Sequence, residues 1–93
     1  MNTFDFYVVK AFGNKLALRP LLKVAGGNIE TRKTGYKNYG RNSFPVWEHS
    51  LSLGYVNVCG KNKESIDAEI ETICEKFKGY DGVKILAIYI ARD

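Results

Sequence analysis

The chain has 93 residues, of which 45% are hydrophobic and 26% charged, and its formal net charge is +4. This length accommodates one hydrophobic core, so we expect a single domain over residues 1–93, and the composition excludes a disordered chain. No apolar run reaches the ~20 residues that a membrane helix needs, and residues 1–5 show no signal-peptide pattern. We therefore expect a soluble, cytoplasmic protein without a membrane partner.

The first predicted element is a strand over residues 4–12, which are rich in aromatic and β-branched side chains. The next segment, residues 14–25, has two interpretations. We expect a strand, because the segment follows a turn at Gly13-Asn14 and because Pro20 would cost ~3 kcal/mol inside a helix. A helix is the alternative, and it would produce the β-α-β-β-α-β order of a ferredoxin-like fold.

The middle of the chain is predicted to hold two more strands joined by a long loop. A glycine-rich turn at residues 26–28 leads into a short strand around residues 29–33. Residues 34–45 then form the loop, which is long for a hairpin connection. A long strand follows over residues 46–59, and the parity of its apolar positions changes part of the way along. A one-residue bulge at about 54–55 would bring both apolar sets to the same face.

The clearest element is an amphipathic helix over about residues 62–78. Its apolar stripe follows a 3.6-residue period and consists of Ile66, Ile70, Ile73 and Phe77. Asn62 suits the N-cap, and Gly79 suits the C-terminal stop. The last predicted strand, residues 83–92, is apolar on both faces near its middle, which is typical of a central strand buried on both sides.

Together these elements predict an α+β fold, with a mostly antiparallel sheet of four to five strands and one helix packed on one face. The charge is distributed unevenly along the chain. Residues 1–47 carry eight basic and two acidic side chains, whereas residues 48–93 carry six basic and eight acidic ones. We therefore expect a dipolar surface whose basic side attracts an anionic partner.

Side chains with catalytic or metal-binding potential are few. His49 is the single histidine, and the nearby Ser50 and Ser52 point to the opposite face of its strand, so we expect a structural histidine. Cys59 and Cys74 lack the spacing of a zinc site and are expected to be free thiols, with Cys74 as a small core residue. No phosphate-binding glycine motif is present. We predict no enzyme activity, no metal and no cofactor.

The strongest candidate for a binding surface is the predicted loop with its flanks, residues 31–44, which contain cations, aromatic rings and two glycines but no acid. The candidate binding residues are Arg32, Lys33, Tyr36, Lys37, Tyr39, Arg41 and Phe44. Lysine and arginine neutralise phosphates, and aromatic rings stack on unpaired bases. The sequence therefore predicts a small non-enzymatic protein that binds nucleic acid through its backbone and its unpaired bases.

The same residues allow two other interpretations. Tyrosine, glycine and arginine are also frequent in protein-binding loops. The alternative function is thus a small inhibitor or adaptor that docks on another protein, either an anionic protein surface or a nucleic-acid-handling complex. The third interpretation is a solvated connection that binds nothing.

Overall fold

The computed structural model describes residues 5–91. It contains four strands and two helices in the order β-α-β-β-α-β. Their bounds are β1 Phe6–Gly13, α1 Lys15–Ala25, β2 Glu30–Tyr39, β3 Asn42–Asn57, α2 Lys63–Lys76 and β4 Lys84–Ile90. The strands form one antiparallel sheet in the order β2-β3-β1-β4, which confirms the predicted α+β class. Phe4 and Arg92, at the outer ends of two predicted strands, lie outside the described residues.

The prediction of a strand over residues 14–25 is wrong, because this segment forms the helix α1. Asn14 is its N-cap, and the Oδ1 atom accepts a hydrogen bond from the backbone N–H of Ala17 at 2.7 Å. The residue that suggested a hairpin turn therefore begins a helix. The resulting order of elements is the one named above for the ferredoxin-like alternative.

Burial of α1 explains why its proline is tolerated. Leu18 and Leu21 are fully buried on the inner side of the helix, whereas Pro20 is exposed to solvent. Burying a leucine side chain contributes ~1.5–3 kcal/mol, so the two leucines together offset the ~3 kcal/mol that an internal proline costs.

Both helices pack against the same face of the sheet. One cluster of buried side chains joins them to the two central strands: Ala11, Leu18, Leu21, Leu51 and Phe77. A second cluster lies under α2: Val56, Val58 and Ile66. The predicted stripe of α2 is confirmed, since Ile70 and Ile73 pack against these clusters. Within the described residues, no helix is both long and apolar enough to span a membrane.

The prediction that the last strand is central is wrong, because β4 lies at an edge of the sheet. With both helices on one face, no element of residues 5–91 covers the other face, which we call the open face. Leu86 of β4 lies on it and is 41% exposed. The apolar pattern of β4 suggests burial on both sides, yet no residue of β4 is fully buried. Ile85 packs against the core on the helix side, whereas Tyr89 on the same side is 44% exposed.

The long strand β3 contains the predicted bulge. Val9 of β1 pairs with Gly54, whereas the next residue of β1 pairs with Ser52. Leu53 is therefore the extra residue, one position before the predicted 54–55. The extra residue keeps the apolar side chains on both sides of it directed at the helices.

A comparison of two leucines in α1 tests the helix directly. In a helix Leu16 and Leu18 lie on opposite sides, whereas in a strand they would share a face. We expect Leu18→Ala to lower the free energy of unfolding by ~2–5 kcal/mol, because the side chain is fully buried. Leu16→Ala, at a position 74% exposed, should change it by less than ~0.5 kcal/mol. Urea unfolding measures both, and similar losses would contradict the helix.

Candidate functional site

The prediction of a loop over residues 34–45 is wrong, because this segment forms the outer part of a β-hairpin. β2 continues to Tyr39 and β3 begins at Asn42, so the connection is the two-residue turn Gly40-Arg41. Gly40 has a φ of 60°, as expected for the first central residue of a type II′ turn. Cross-strand hydrogen bonds therefore order a segment whose composition suggested an irregular loop.

This hairpin projects beyond the rest of the sheet. β1 pairs with β3 only as far as His49, and residues 32–48, which we call the hairpin arm, pair only with each other. The described chain measures 54 × 32 × 20 Å and has a radius of gyration of 15.8 Å, compared with about 12 Å for a compact chain of this length. Both faces of the arm are accordingly accessible to a partner.

A bulge in β2 determines which side chains share a face of the arm. Lys33 pairs with Trp47, and Gly35 pairs with the adjacent residue Val46, so Thr34 is an extra residue. Beyond a bulge the alternation of side chains changes phase relative to the sequence. Odd-numbered positions of β2 therefore lie on the helix side before the bulge and on the open face after it.

On the open face the arm carries Lys37, Tyr39 and Phe44. Lys37 pairs with Phe44, and the rings of Tyr39 and Phe44 meet edge to face with their centroids 5.8 Å apart. Tyr39 is 62% and Phe44 50% exposed. Arg41 is the second residue of the turn that follows Tyr39. Among residues 5–91, no acid forms an ion pair with Lys37 or Arg41.

On the other face the arm carries Lys33, Tyr36 and Trp47. The Lys33 ammonium donates a hydrogen bond to the Tyr36 hydroxyl at 2.8 Å and lies 4.8 Å from the centroid of its ring. Trp47 is 53% exposed. In the sequence Trp47 alternates with His49 and Leu51, which places it on the apolar side of β3. The strand does direct it to that side, but the helices do not extend far enough to cover it. Its exposure could not be inferred without the length of the arm.

Arg32 lies apart from both groups, at the base of the arm. Its guanidinium is 3.4 Å from the Glu48 carboxylate, and its side chain is 77% exposed. An exposed pair of this kind contributes ~0–1 kcal/mol, so a phosphate could displace the carboxylate at small cost. The structure thus divides the seven candidate residues into three on the open face, two on the helix side, Arg41 in the turn and Arg32 at the base.

The remaining reactive side chains lie away from the arm's tip and from one another. His49 Nδ1 is 2.9 Å from the Thr31 hydroxyl oxygen. Cys59 is exposed, whereas Cys74 is half-buried on α2. Burial raises the pKa of the Cys74 thiol, and the nearby carboxylates of α2 raise it further. In the described part of the chain, no group of three or more histidine, cysteine, aspartate or glutamate side chains could hold a metal ion.

The two thiols should differ in reactivity. The thiolate is the reactive form, and a raised pKa lowers the thiolate fraction of Cys74 at any given pH. At pH 8 a thiol-reactive disulfide should therefore modify Cys59 quickly and Cys74 slowly, so the reaction should show two phases. The Cys59→Ser variant should retain only the slow phase. Unfolding in urea should make the two rates similar. Equal rates in the folded protein would contradict the burial of Cys74.

The chain matches no protein-family model, and comparison with curated proteins and with solved structures finds no significant similarity. Functional inference for this chain therefore depends on its own geometry, exposure and charge.

Proposed function

We propose that the protein is a small non-enzymatic nucleic-acid-binding protein that holds its ligand on the open face of the hairpin arm. One observation carries this proposal. The cations Lys37 and Arg41 form no ion pair with any acid of residues 5–91. Lys37 pairs with Phe44, and Arg41 lies in the turn between the exposed rings of Tyr39 and Phe44 along the chain. Cations that neutralise phosphates and rings that stack on bases are the two components of single-strand recognition.

The charge of the arm supports an anionic ligand. From Thr31 to Trp47 the sequence contains four cations and no acid. Like charges at this density repel one another, so the folded protein alone gains little from the cluster. Binding a polyanion relieves that repulsion and releases the counterions that the polyanion had condensed.

The exposed aromatic rings favour unpaired bases over duplex DNA. A two-stranded ribbon fits the major groove of a duplex, but sequence is read there through hydrogen bonds to base edges. The ring of Phe44 has no hydrogen-bonding group, and it presents its surface to solvent next to Tyr39. Such rings bind most favourably where bases are unstacked and accessible.

Titration of arm variants with a labelled single-stranded oligonucleotide of about 16 nucleotides tests the proposal. Lys37→Ala and Arg41→Ala should each weaken binding to every sequence and reduce the slope of log affinity against log salt by ~1, since each removes one phosphate contact. Tyr39→Ala should cost ~1–3 kcal/mol of binding free energy. Fluorescence anisotropy at two salt concentrations measures these changes.

Lys23→Ala is the matched control, because Lys23 is an exposed cation on α1, away from the arm. It should leave the affinity close to that of the unchanged protein. The proposal is rejected if the three arm variants bind as the unchanged protein does, or if Lys23→Ala weakens binding as much as they do. A duplex of the same sequence that binds more tightly than the single strand would reject the preference for unpaired bases.

The helix-side face of the arm supports a second candidate, an inhibitor or adaptor that docks on another protein. Tyr36 and Trp47 are both more than half exposed there, and tyrosine and tryptophan are frequent anchors of protein interfaces. In this case Trp47→Ala should abolish capture of a protein from a nuclease-treated lysate, whereas Lys37→Ala should have little effect. Added salt should also weaken such an interface less than a phosphate-based one.

A further inference from the structure

The open face of the sheet carries a large exposed ring at the end remote from the arm. Tyr55 lies on the central strand β3 and is 65% exposed. In the register it pairs with Val8 of β1, and its ring meets the half-buried ring of Phe6 edge to face at 5.7 Å. Two aromatic rings thus stand next to each other on the two central strands.

The floor around these rings is apolar. The apolar open-face residues of β1 and β4 are Phe6, Val8, Phe12, Leu86, Ile88 and Ile90. Leu86 is exposed, Val8 is buried beneath its neighbours, and the other four are half-buried. A sheet face that is turned towards water normally presents polar side chains. This one presents partly exposed apolar side chains beside the exposed ring of Tyr55, which is typical of an interaction site. The pattern of these two strands therefore indicates a face that is covered when the protein acts.

A groove of about 420 Å³ connects this floor with the base of the arm, and charged side chains border it. Its cations are Lys10, Arg32 and Lys84, and its acids are Glu30 and Glu48. Both acids are engaged, since Lys10 pairs with Glu30 at 3.1 Å and Arg32 with Glu48 at 3.4 Å. Lys84 forms no ion pair within residues 5–91. The groove therefore retains an excess of positive charge.

The arm, the groove and the ring of Tyr55 lie along one strand. From Phe44 to Tyr55 β3 advances eleven residues, one of them a bulge, which corresponds to roughly 35 Å at the usual strand rise. A track of this length is suitable for several nucleotides, within the range of about 4–16 that single-strand-binding domains cover.

We propose that the open face around Tyr55 is a second contact surface for single-stranded nucleic acid, continuous with the hairpin arm through the groove. This inference rests on the proposed function of the arm and extends it. The arm binds one part of the strand, Lys84 and Lys10 border the path of its backbone, and the ring of Tyr55 stacks on an unpaired base beyond the groove. The protein thus binds an extended single strand along its sheet rather than a short segment at its tip.

Charge favours a nucleic acid over a second copy of this chain as the molecule that covers the face. Two copies packed face to face would bring two sets of groove cations together. The acids that could compensate them are already paired within each copy. A phosphate backbone matches the excess positive charge without that repulsion.

The test compares oligothymidylates of about 4 and about 16 nucleotides, which span the usual range of site sizes. The unchanged protein should bind the longer strand more tightly. Tyr55→Ala should weaken binding of the longer strand by about 5- to 150-fold, as expected for the loss of one stacked base. The longer strand should then bind this variant only slightly more tightly than the shorter strand does. Tyr55→Phe retains the ring and should bind nearly as the unchanged protein does. Lys84→Ala should reduce the salt slope for the longer strand by ~1.

Leu16→Ala is the control for Tyr55→Ala, because it truncates an exposed apolar side chain on the helix side. Urea unfolding of each variant verifies that the fold is retained, as expected for such exposed positions. If Lys37→Ala weakens both lengths and Tyr55→Ala weakens neither, the second surface is rejected while the arm's function stands. If neither oligonucleotide binds, both proposals are rejected.

Sedimentation of the free protein distinguishes a second copy from a nucleic acid. A monomer at the concentrations of the titration is the expected result, since the open face then remains available to the strand. A dimer that Tyr55→Ala converts to monomer, with no change in oligonucleotide affinity, would overturn the proposal and assign the face to self-association.

Discussion

The contact between the two helices and the two central strands is the interaction on which the rest of the structure depends. Ala11 and Leu51 form the sheet side of this core, and the leucines of α1 and Phe77 form its other side. Since one compact core cannot bury both faces of a four-stranded sheet, placing both helices on one face leaves the other to solvent. The same core ends near His49, where β1 stops pairing with β3, so the hairpin continues outward without support. The open face and the arm are thus two results of one packing arrangement.

Local patterns in the sequence were sufficient for elements whose signals agree with one another. For α2, the apolar period, the Asn62 cap and the glycine beyond its end all indicate the same helix, and its predicted position is correct. The bulge in β3 could be predicted because the parity of apolar residues changes beside Gly54. The antiparallel α+β class followed from these elements.

Errors occurred where two signals conflicted or where the answer required long-range pairing. For residues 14–25 the cost of Pro20 favoured a strand over a helix, although the burial of Leu18 and Leu21 decides the outcome in the folded chain. The apolar character of β4 indicated burial, but the position of a strand in a sheet depends on pairings that local patterns do not contain. In the same way, a polar hairpin without a core beneath it resembles a loop in composition. The basic and aromatic residues of the arm were identified from sequence, but their division between two faces was not.

That division has a consequence for how the surface could change during evolution. The register on the far side of Thr34 depends on a single extra residue, and a shift of one residue exchanges the faces of every side chain beyond it. If Thr34 were paired regularly, Tyr36 would lie with Phe44, and Lys37 would move to the side of Trp47. One stretch of sequence therefore encodes two different surface chemistries. A small insertion or deletion at the base of the arm could exchange one for the other while leaving the hydrophobic core unchanged.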